Sequence, residues 1–423
     1  LAAPLSDDQK AAIRSLVDRG ITSGCEIGRR LKIGHVAAGR HAEKYLREIK
    51  GTQPAPEPIR SAAPTVDEMA ERIARTRDLR REKDELLAIA GEKSFRAYLE
   101  QILRDVAPRF EPLAPEPAPD FDEDTSSETL LMLLSDWHAF EEVKPDRVMG
   151  FNEFNGDILC ERVKRLLLTQ LSIKRRMERG AGWSIRNAAV ALNGDFVSGT
   201  IHELERHSDA ANVVHAVFAT GMLLAAYLRD MAPHFERVDV RCTSGNHGRL
   251  PDARRMQQKD PTRNWDTAIY LYAMAALRDI PNIRFDIPDS YFIKYAIEGW
   301  NFLQFHGHDI KSWNSLPYYG IDRFGRNMNA LYNSRAERID YFLVSHFHSL
   351  GGVSASGGET FVNGSVIGGN EFSVGALGRC DRPAQWMFMV HKENGITSRW
   401  PLMAEGRERV TPYPLPQWPV AAG

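Results

Sequence analysis

Five short stretches of this chain concentrate residues that bind divalent cations. They are Ser135-Asp136-Trp137-His138, Asn193-Gly194-Asp195, Ser244-Gly245-Asn246-His247-Gly248, Phe305-His306-Gly307-His308-Asp309 and Ser345-His346-Phe347-His348. Each follows an apolar, strand-like run, and six of the thirteen histidines fall within them. Asp136 and His138 stand two residues apart, so at the end of an extended strand both side chains face one way and can grip one ion. Carboxylate, imidazole and amide donors without a thiolate suit Mn²⁺ first, with Fe²⁺, Zn²⁺ or Mg²⁺ as substitutes, and argue against a purely structural zinc. Two such ions about 3.5–4 Å apart can hold the attacking and leaving oxygens of an in-line displacement and turn a bridging water into hydroxide.

The elements that must position these residues begin near residue 129. Leu131–Leu134 reads as a strand buried on both faces, as in parallel or mixed sheets. Further strands are expected at Asn187–Asn193, Arg237–Thr243, Arg284–Ile287, Tyr291–Ile297, Asn301–His306, Tyr341–Ser345, Glu359–Val362 and Gln385–Val390. Helices are expected near Ile158–Met177, Asp209–Met231 and Trp265–Arg278. Successive motifs lie 40 to 60 residues apart, room for a strand-helix-strand unit, which needs roughly 30 or more. Ligands in such sheets bind beyond the strand ends. An α/β domain spanning 129–405 and a tail at 406–423 follow.

In order, the five motifs resemble those of the calcineurin-like metallophosphoesterase superfamily: Asp-x-His, Gly-Asp, Gly-Asn-His, His and His-x-His. The resemblance covers roughly residues 129–400. It implies two mixed β-sheets flanked by helices, an αββα sandwich. It also implies that Asp136, His138 and His348 hold one metal, Asn246, His306 and His346 the second, and that Asp195 bridges them. His247 would then act on the leaving oxygen or on phosphoryl charge. Three positions depart from the pattern: Gly248 where many members carry an acid, Ser345 in place of Gly, and Ser198 where a second acid is usual. The runs around Gly245, Asn264-Trp265-Asp266 and Asn363-Gly364-Ser365 resemble, more loosely, phage and prophage members, for which the host cytoplasm would be the setting.

Several nearby residues have two readings. His308 competes with His306 as ligand, and His306 is preferred because it directly ends the apolar run. Arg249 and His202 are candidate phosphate contacts, as is His308, or else ordinary surface cations. Asp309 and His308 could orient the ligands. Trp265, Tyr270 and Tyr272 lie at helical spacing and read as core.

Upstream, residues 6–50 read as three short helices with capping-box spacing at Ser6–Gln9 and Ser23–Glu26. Ile13, Leu16, Val17, Ile27, Leu31, Val36, Tyr45, Leu46 and Ile49 could close a small core. A turn at Lys32–His35 gives a helix-turn-helix outline. Arg40, Lys44 and Arg47 form a basic stripe on the third helix, and ten Lys and Arg face six Asp and Glu over residues 1–50. DNA binding and protein docking or homo-oligomerisation both fit. Residues 51–128 read as a connection: a Pro- and Ala-rich linker, a charged helical stretch from the Thr65 capping pattern to Val106 with Phe95, Tyr98, Leu99, Ile102 and Val106 on one face, then a solvated acidic segment at 111–128.

The whole chain limits the alternatives. Its 423 residues carry 43% hydrophobic and 26% charged residues and a net charge of -2, typical of a globular protein without a global field for polyanions. Cys25, Cys160, Cys242 and Cys380 lie far apart and suggest reduced core thiols in the cytoplasm. No unbroken run of about 18 apolar residues suggests a membrane span. The expectation is a two-metal phosphoesterase, foremost a DNA nuclease or phosphodiesterase. A phosphatase or phosphodiesterase for small nucleotides is the alternative, and a DNA-binding scaffold with a structural metal is the third.

Overall fold

The computed structural model describes residues 5–19, 21, 23–33, 35–52, 95–117, 126–199, 213–250, 260–311, 318–355 and 358–415. The chain divides into two compact units, Leu1–Leu86 and Leu87–Gly423.

In the first unit, α1 (Asp7–Asp18), α2 (Gly24–Leu31) and α3 (His35–Thr52) enclose Ile13, Val17, Ile27, Ala38 and Ala42. Ser6 and Gln9 form the expected capping box. Ser23 makes no side-chain cap on α2, so its spacing there misleads. The α2 helix ends at Lys32 in the left-handed conformation, its amide bonded to the Gly28 carbonyl. Arg40 and Lys44 are exposed on α3. The side chain of Arg47 lies outside the described residues, as do residues 53–94 with the Thr65 pattern.

The second unit begins earlier than residue 129. Helix α4 (Phe95–Val106), expected as part of a connection, packs on α7 (Trp265–Ala276). Among its described side chains Leu103 is buried with Leu99 beside it and Ala107 just beyond the helix, while Ile102 and Val106 are exposed; the side chains of Phe95 and Tyr98 lie outside the described residues. The buried stripe is thus rotated from the expected one, because the partner surface selects which apolar residues turn inward. The acidic segment also touches this unit: the Glu116 amide donates to the Pro233 carbonyl and its carboxylate pairs with His234 at 3.0 Å. Likewise Tyr413, in the expected tail, is buried and donates to Asp230 at 3.1 Å.

Two sheets form the centre. In the first, β1 (Ser127–Leu134), β2 (Ser184–Asn193), β3 (Arg237–Thr243) and β4 (Ile283–Asp286) run parallel. The second contains β5 (Phe292–Ile297), β6 (Trp300–Phe305), β7 (Tyr341–Val344), β8 (Gly351–Ala355) and β9 (Gly358–Val362), in the order β5-β6-β7-β9-β8. Strands β10 (Ala384–His391) and β11 (Gly395–Met403) complete the first sheet in antiparallel fashion, giving the order β11-β10-β1-β2-β3-β4. The sequence reading lacked β8 and β11. The first is glycine-rich, and the second alternates half-buried and exposed residues along a mostly polar run.

Between the sheets Leu131, Leu133, Ala189 and Ala191 meet Tyr295, Phe302, Tyr341 and Leu343. On the outer face of the first sheet lie α5 (Gly156–Arg176), α6 (Val213–Met231) and α7. On the second lies α8 (Tyr318–Asn333), anchored by Ile321 and Phe324. The layers are therefore αββα, as expected. Residues Val213–His234 form a helical stretch long and apolar enough to cross a membrane; here α6 packs as a core helix between α5 and α7. Cys160 and Cys242 are buried, but Cys380 is exposed, contrary to the expectation of core thiols throughout.

Candidate metal centre

Strands β1, β2, β3, β6 and β7 all finish at one edge, and each releases its motif there. Three groups of side chains result, each with donor atoms within 4.8 Å of one another: Asp136, His138 and His348; Asp195, His306 and His346; and His138, Asp195 and His247. Asp195 is common to two of them, at the junction. Within the first, the Nε2 atoms of His138 and His348 lie 3.2 Å apart, and His348 Nε2 is 3.3 Å from Asp136 Oδ1. In the second, His306 Nε2 lies 2.7 Å from Asp195 Oδ2.

The pleat alone does not make this convergence. Strand β1 stops at Leu134, and Asp136 and His138 both adopt left-handed backbone, with φ of 52° and 46°. Asp195, His346 and His348 do the same, with φ of 55°, 74° and 58°. Such a conformation costs a non-glycine residue roughly 1–2 kcal/mol, and clusters of it mark functional sites. Backbone bonds hold it: the Asp136 amide donates to the Gly194 carbonyl and the His138 amide to that of Asp195. Gly194 must be glycine, since φ is +82° and a Cβ would stand 2.3 Å from the Gly245 nitrogen.

Fixed partners orient the rings. His306 Nδ1 donates to the Asn193 carbonyl at 2.7 Å, which leaves its Nε2 lone pair for a cation. His138 Nδ1 is 2.9 Å from Ser198 Oγ, and that hydroxyl donates to Glu141, whose other oxygen accepts from Asn370 at 2.8 Å. His247 Nδ1 donates to the Ser198 carbonyl at 3.1 Å, and its ring meets that of His138 edge-on at 4.6 Å.

The departures from the family pattern each find a local cause. At Gly248 a Cβ would lie 2.0 Å from Asn264 Oδ1, so Asn264 occupies the space a larger residue would need. Ser345 uses its hydroxyl to accept from Asn193 at 2.7 Å, tying the two sheets together. Ser198 carries no charge itself but contacts Glu141, so the nearby acid comes from the Asp-x-His loop instead.

Asp266, given no role by residue spacing, belongs to this centre. Its carboxylate accepts the amides of Asp195, Phe196 and Gly245 at 2.9, 2.9 and 2.8 Å, clamping the Gly-Asp loop to the Gly-Asn-His loop. Burial and the neighbouring Asp195 push its carboxyl up to about 6. Asn264-Trp265-Asp266 was visible as a motif, but nothing local revealed which amides it would meet. Glu141 was missed too; its only signal is an acid three residues beyond His138. Tyr270 supports the same edge from the core, donating to the Thr243 carbonyl at 2.9 Å.

Burial pulls His138 and His346 well below the ordinary imidazole range, helped by neighbouring histidines, so both stand neutral with lone pairs available. For Asp195, burial opposes the charge, but His306 and His247 hold the carboxyl well below its usual value. Burial also opposes charge on His306, yet Asp195 prevails and raises it to about 9. Asn246 Oδ1 is buried without a hydrogen-bond partner, while Asp136 Oδ1, Asp195 Oδ2 and His306 Nε2 are buried facing only the other candidate ligands. Native proteins rarely leave such atoms unsatisfied. Divalent cations would complete them, so the donor set fits a metal pair.

His308 joins none of the three groups; it lies beside His306, with ring centroids 5.7 Å apart. Arg249 is half-buried next to Tyr291. His202 lies outside the described residues.

No family model and no curated protein matches the chain. Among solved structures it is similar to an Entamoeba histolytica Vps29 complexed with zinc, at 11% identity over 64% of this chain and 99% of that one, with a TM-score of 0.27. It is similar to an archaeal phosphodiesterase at 9% identity, over 65% and 99% of the two chains, with a TM-score of 0.29. A predicted phosphoesterase from Streptococcus pneumoniae shares 11% identity over 65% and 98%, with a TM-score of 0.23. Likenesses this distant say nothing of activity or substrate.

Proposed function

We propose that the second unit is a two-metal phosphoesterase acting on phosphodiesters, with DNA as its foremost substrate. The observation that carries this is the position of Asp195, shared by two groups of buried donors at one sheet edge. Bound there, a pair of divalent cations supplies Lewis acidity for the phosphoryl oxygens and a water nucleophile active near neutral pH. Asp136, His138 and His348 would hold one cation, and His306, His346 and Asn246 the other, with Asp195 between them. Glu141 and Ser198 keep His138 in the tautomer that ligates, and Asn193 does so for His306. His247, with Nδ1–H engaged by the Ser198 carbonyl, has Nε2 for a proton delivered to the leaving oxygen. Asp266 holds the two loops so that these atoms keep their spacing.

DNA is favoured over small nucleotides by the first unit, whose α3 exposes Arg40 and Lys44. Delivery by a tethered module raises effective concentration without requiring affinity at the catalytic edge. Hydrolysis by the full chain with Mn²⁺ should be compared on single-stranded DNA, duplex DNA, free nucleotides and bis(p-nitrophenyl) phosphate, before and after removal of residues 1–86. The expected result is DNA cleavage that weakens steeply with salt and loses efficiency on truncation. Equal DNA cleavage by both forms at every salt concentration would remove the delivery role. Turnover restricted to nucleotides would replace DNA with a small substrate. Metal-loaded protein inert on all four, as its Asp195→Asn variant is, would sink the enzyme.

A further inference from the structure

Among the described residues, three side chains beside His306 and His346 and outside the ligand set have buried polar atoms with no hydrogen-bond partner beyond the cluster itself, where the Tyr291 hydroxyl faces Arg249. The atoms are Nε and Nη2 of Arg249, both ring nitrogens of His308, and the Tyr291 hydroxyl. They form one cluster. The rings of His308 and Tyr291 meet edge-on at 5.4 Å, and the Arg249 guanidinium carbon lies 6.0 Å from the Tyr291 centroid. The cluster adjoins the metal centre through His308, whose ring is 5.7 Å from His306 and 6.4 Å from His346. The His308 side chain is only 8% exposed.

Backbone contacts hold Arg249 there. It pairs with Asn264 in an isolated bridge, and the next amide, of Leu250, donates to the Arg263 carbonyl at 3.3 Å. The exposed Asp309 carboxylate lies 3.5 Å from His308 Nε2, an ion-pair distance without a hydrogen bond to the ring. The cluster thus offers a guanidinium, a phenol and an imidazole N–H, all donors, beside the candidate metal centre. Such a set complements anionic oxygens, and the planar arginine fork suits phosphate above other anions. His308 belongs to none of the three groups and stands on the far side of His306, so an anion at this cluster would lie beside, rather than within, a cation pair held by those groups.

We propose that Arg249, His308 and Tyr291 form a subsite for a second phosphate of the substrate, adjacent to the one under attack. It rests on the phosphoesterase proposal and narrows it to substrates with two phosphates close together. That second phosphate belongs either to the next phosphodiester of a polynucleotide, one sugar away, or to a nucleotide polyphosphate, one shared oxygen away.

The test titrates the full-length protein calorimetrically, metal-free and Mn²⁺-loaded, with thymidine 3′,5′-bisphosphate, inorganic pyrophosphate and orthophosphate. One of the two diphosphates should bind at least about tenfold more tightly than orthophosphate, and Arg249→Gln should weaken that diphosphate's binding by about 10- to 100-fold, as expected for a hydrogen bond to a charged group, and so remove the preference. Tyr291→Phe, which keeps the ring in place, should weaken the same binding by about 3- to 10-fold. Preference for the bisphosphate assigns a polynucleotide, and preference for pyrophosphate assigns a nucleotide polyphosphate. No preference for either, or one unchanged in both variants, overturns the subsite. Arg249-dependent preference in a protein that hydrolyses no phosphoester leaves the subsite standing and removes the enzyme. Hydrolysis with Arg249-independent binding does the reverse.

Discussion

Ser198→Ala tests whether the buried relay behind His138 sets metal affinity. In the native protein Ser198 Oγ receives His138 Nδ1–H at 2.9 Å and passes its own proton toward Glu141, within a region where His138 and Ser198 are essentially inaccessible. Alanine removes the acceptor without adding bulk. The ring then either leaves a buried N–H unsatisfied, at about 1–3 kcal/mol, or moves its proton to Nε2, the atom 3.2 Å from His348 Nε2. The second choice blocks ligation outright. Loss of such an orienting partner typically lowers metal affinity about 10- to 100-fold. Calorimetric titration of Mn²⁺ into both proteins measures the difference directly, and circular dichroism checks that the fold persists. Glu141 also gains a distinctive outcome: Glu141→Gln, which retains Ser198, should lose less affinity than Ser198→Ala. Affinity unchanged in Ser198→Ala would refute the orienting role, whatever happens to turnover.

Four further outcomes follow from the same geometry. Because Asp195 raises His306 to about 9 from an ordinary 6.5, the metal-free pair contributes stability that is complete below pH 6.5 and lost as pH rises through about 9. The melting temperature of metal-free protein should therefore fall between pH 7 and 9, and a flat profile there would contradict the pairing. Cation binding needs neutral His306, so uptake at pH 7.5 should release at least one proton, read from the dependence of binding enthalpy on buffer. Gly194→Ala combines a left-handed backbone with a Cβ 2.3 Å from the Gly245 nitrogen; it should cost more than about 2 kcal/mol, and a native melting curve would refute the close approach. Asp266→Ala strips the acceptor from three buried amides. It should destabilise by several times the roughly 1–3 kcal/mol of one unsatisfied group and abolish Mn²⁺ binding, both absent if the clamp is idle.

The local sequence determined the strand ends and what hangs from them. Apolar runs stopping at Asp195, His306 or His346 name their own edge, because a buried charge or imidazole needs partners that the loops beyond the strand ends supply. The alternation of strand-like and helical runs gave an α/β domain that begins parallel and ends mixed; the αββα layering was implied only by the resemblance of the ordered motifs. The first unit's small core was legible through Ile13, Val17 and Ile27 at helical spacing. Tertiary structure alone decided the rest. Left-handed backbone at Asp136, His138, Asp195, His346 and His348 arises from bonds between loops distant in sequence, such as Asp136 to Gly194. The choice of Leu103 over Ile102 as the buried residue of α4 was made by the surface of α7. Asp266, Glu141 and Tyr291 show no chemistry in their own neighbourhoods. What they do depends on which amides, hydroxyls and rings the folded chain brings within about 3 to 6 Å, and hydrogen bonding and ring contact at that range carry no trace in residue spacing.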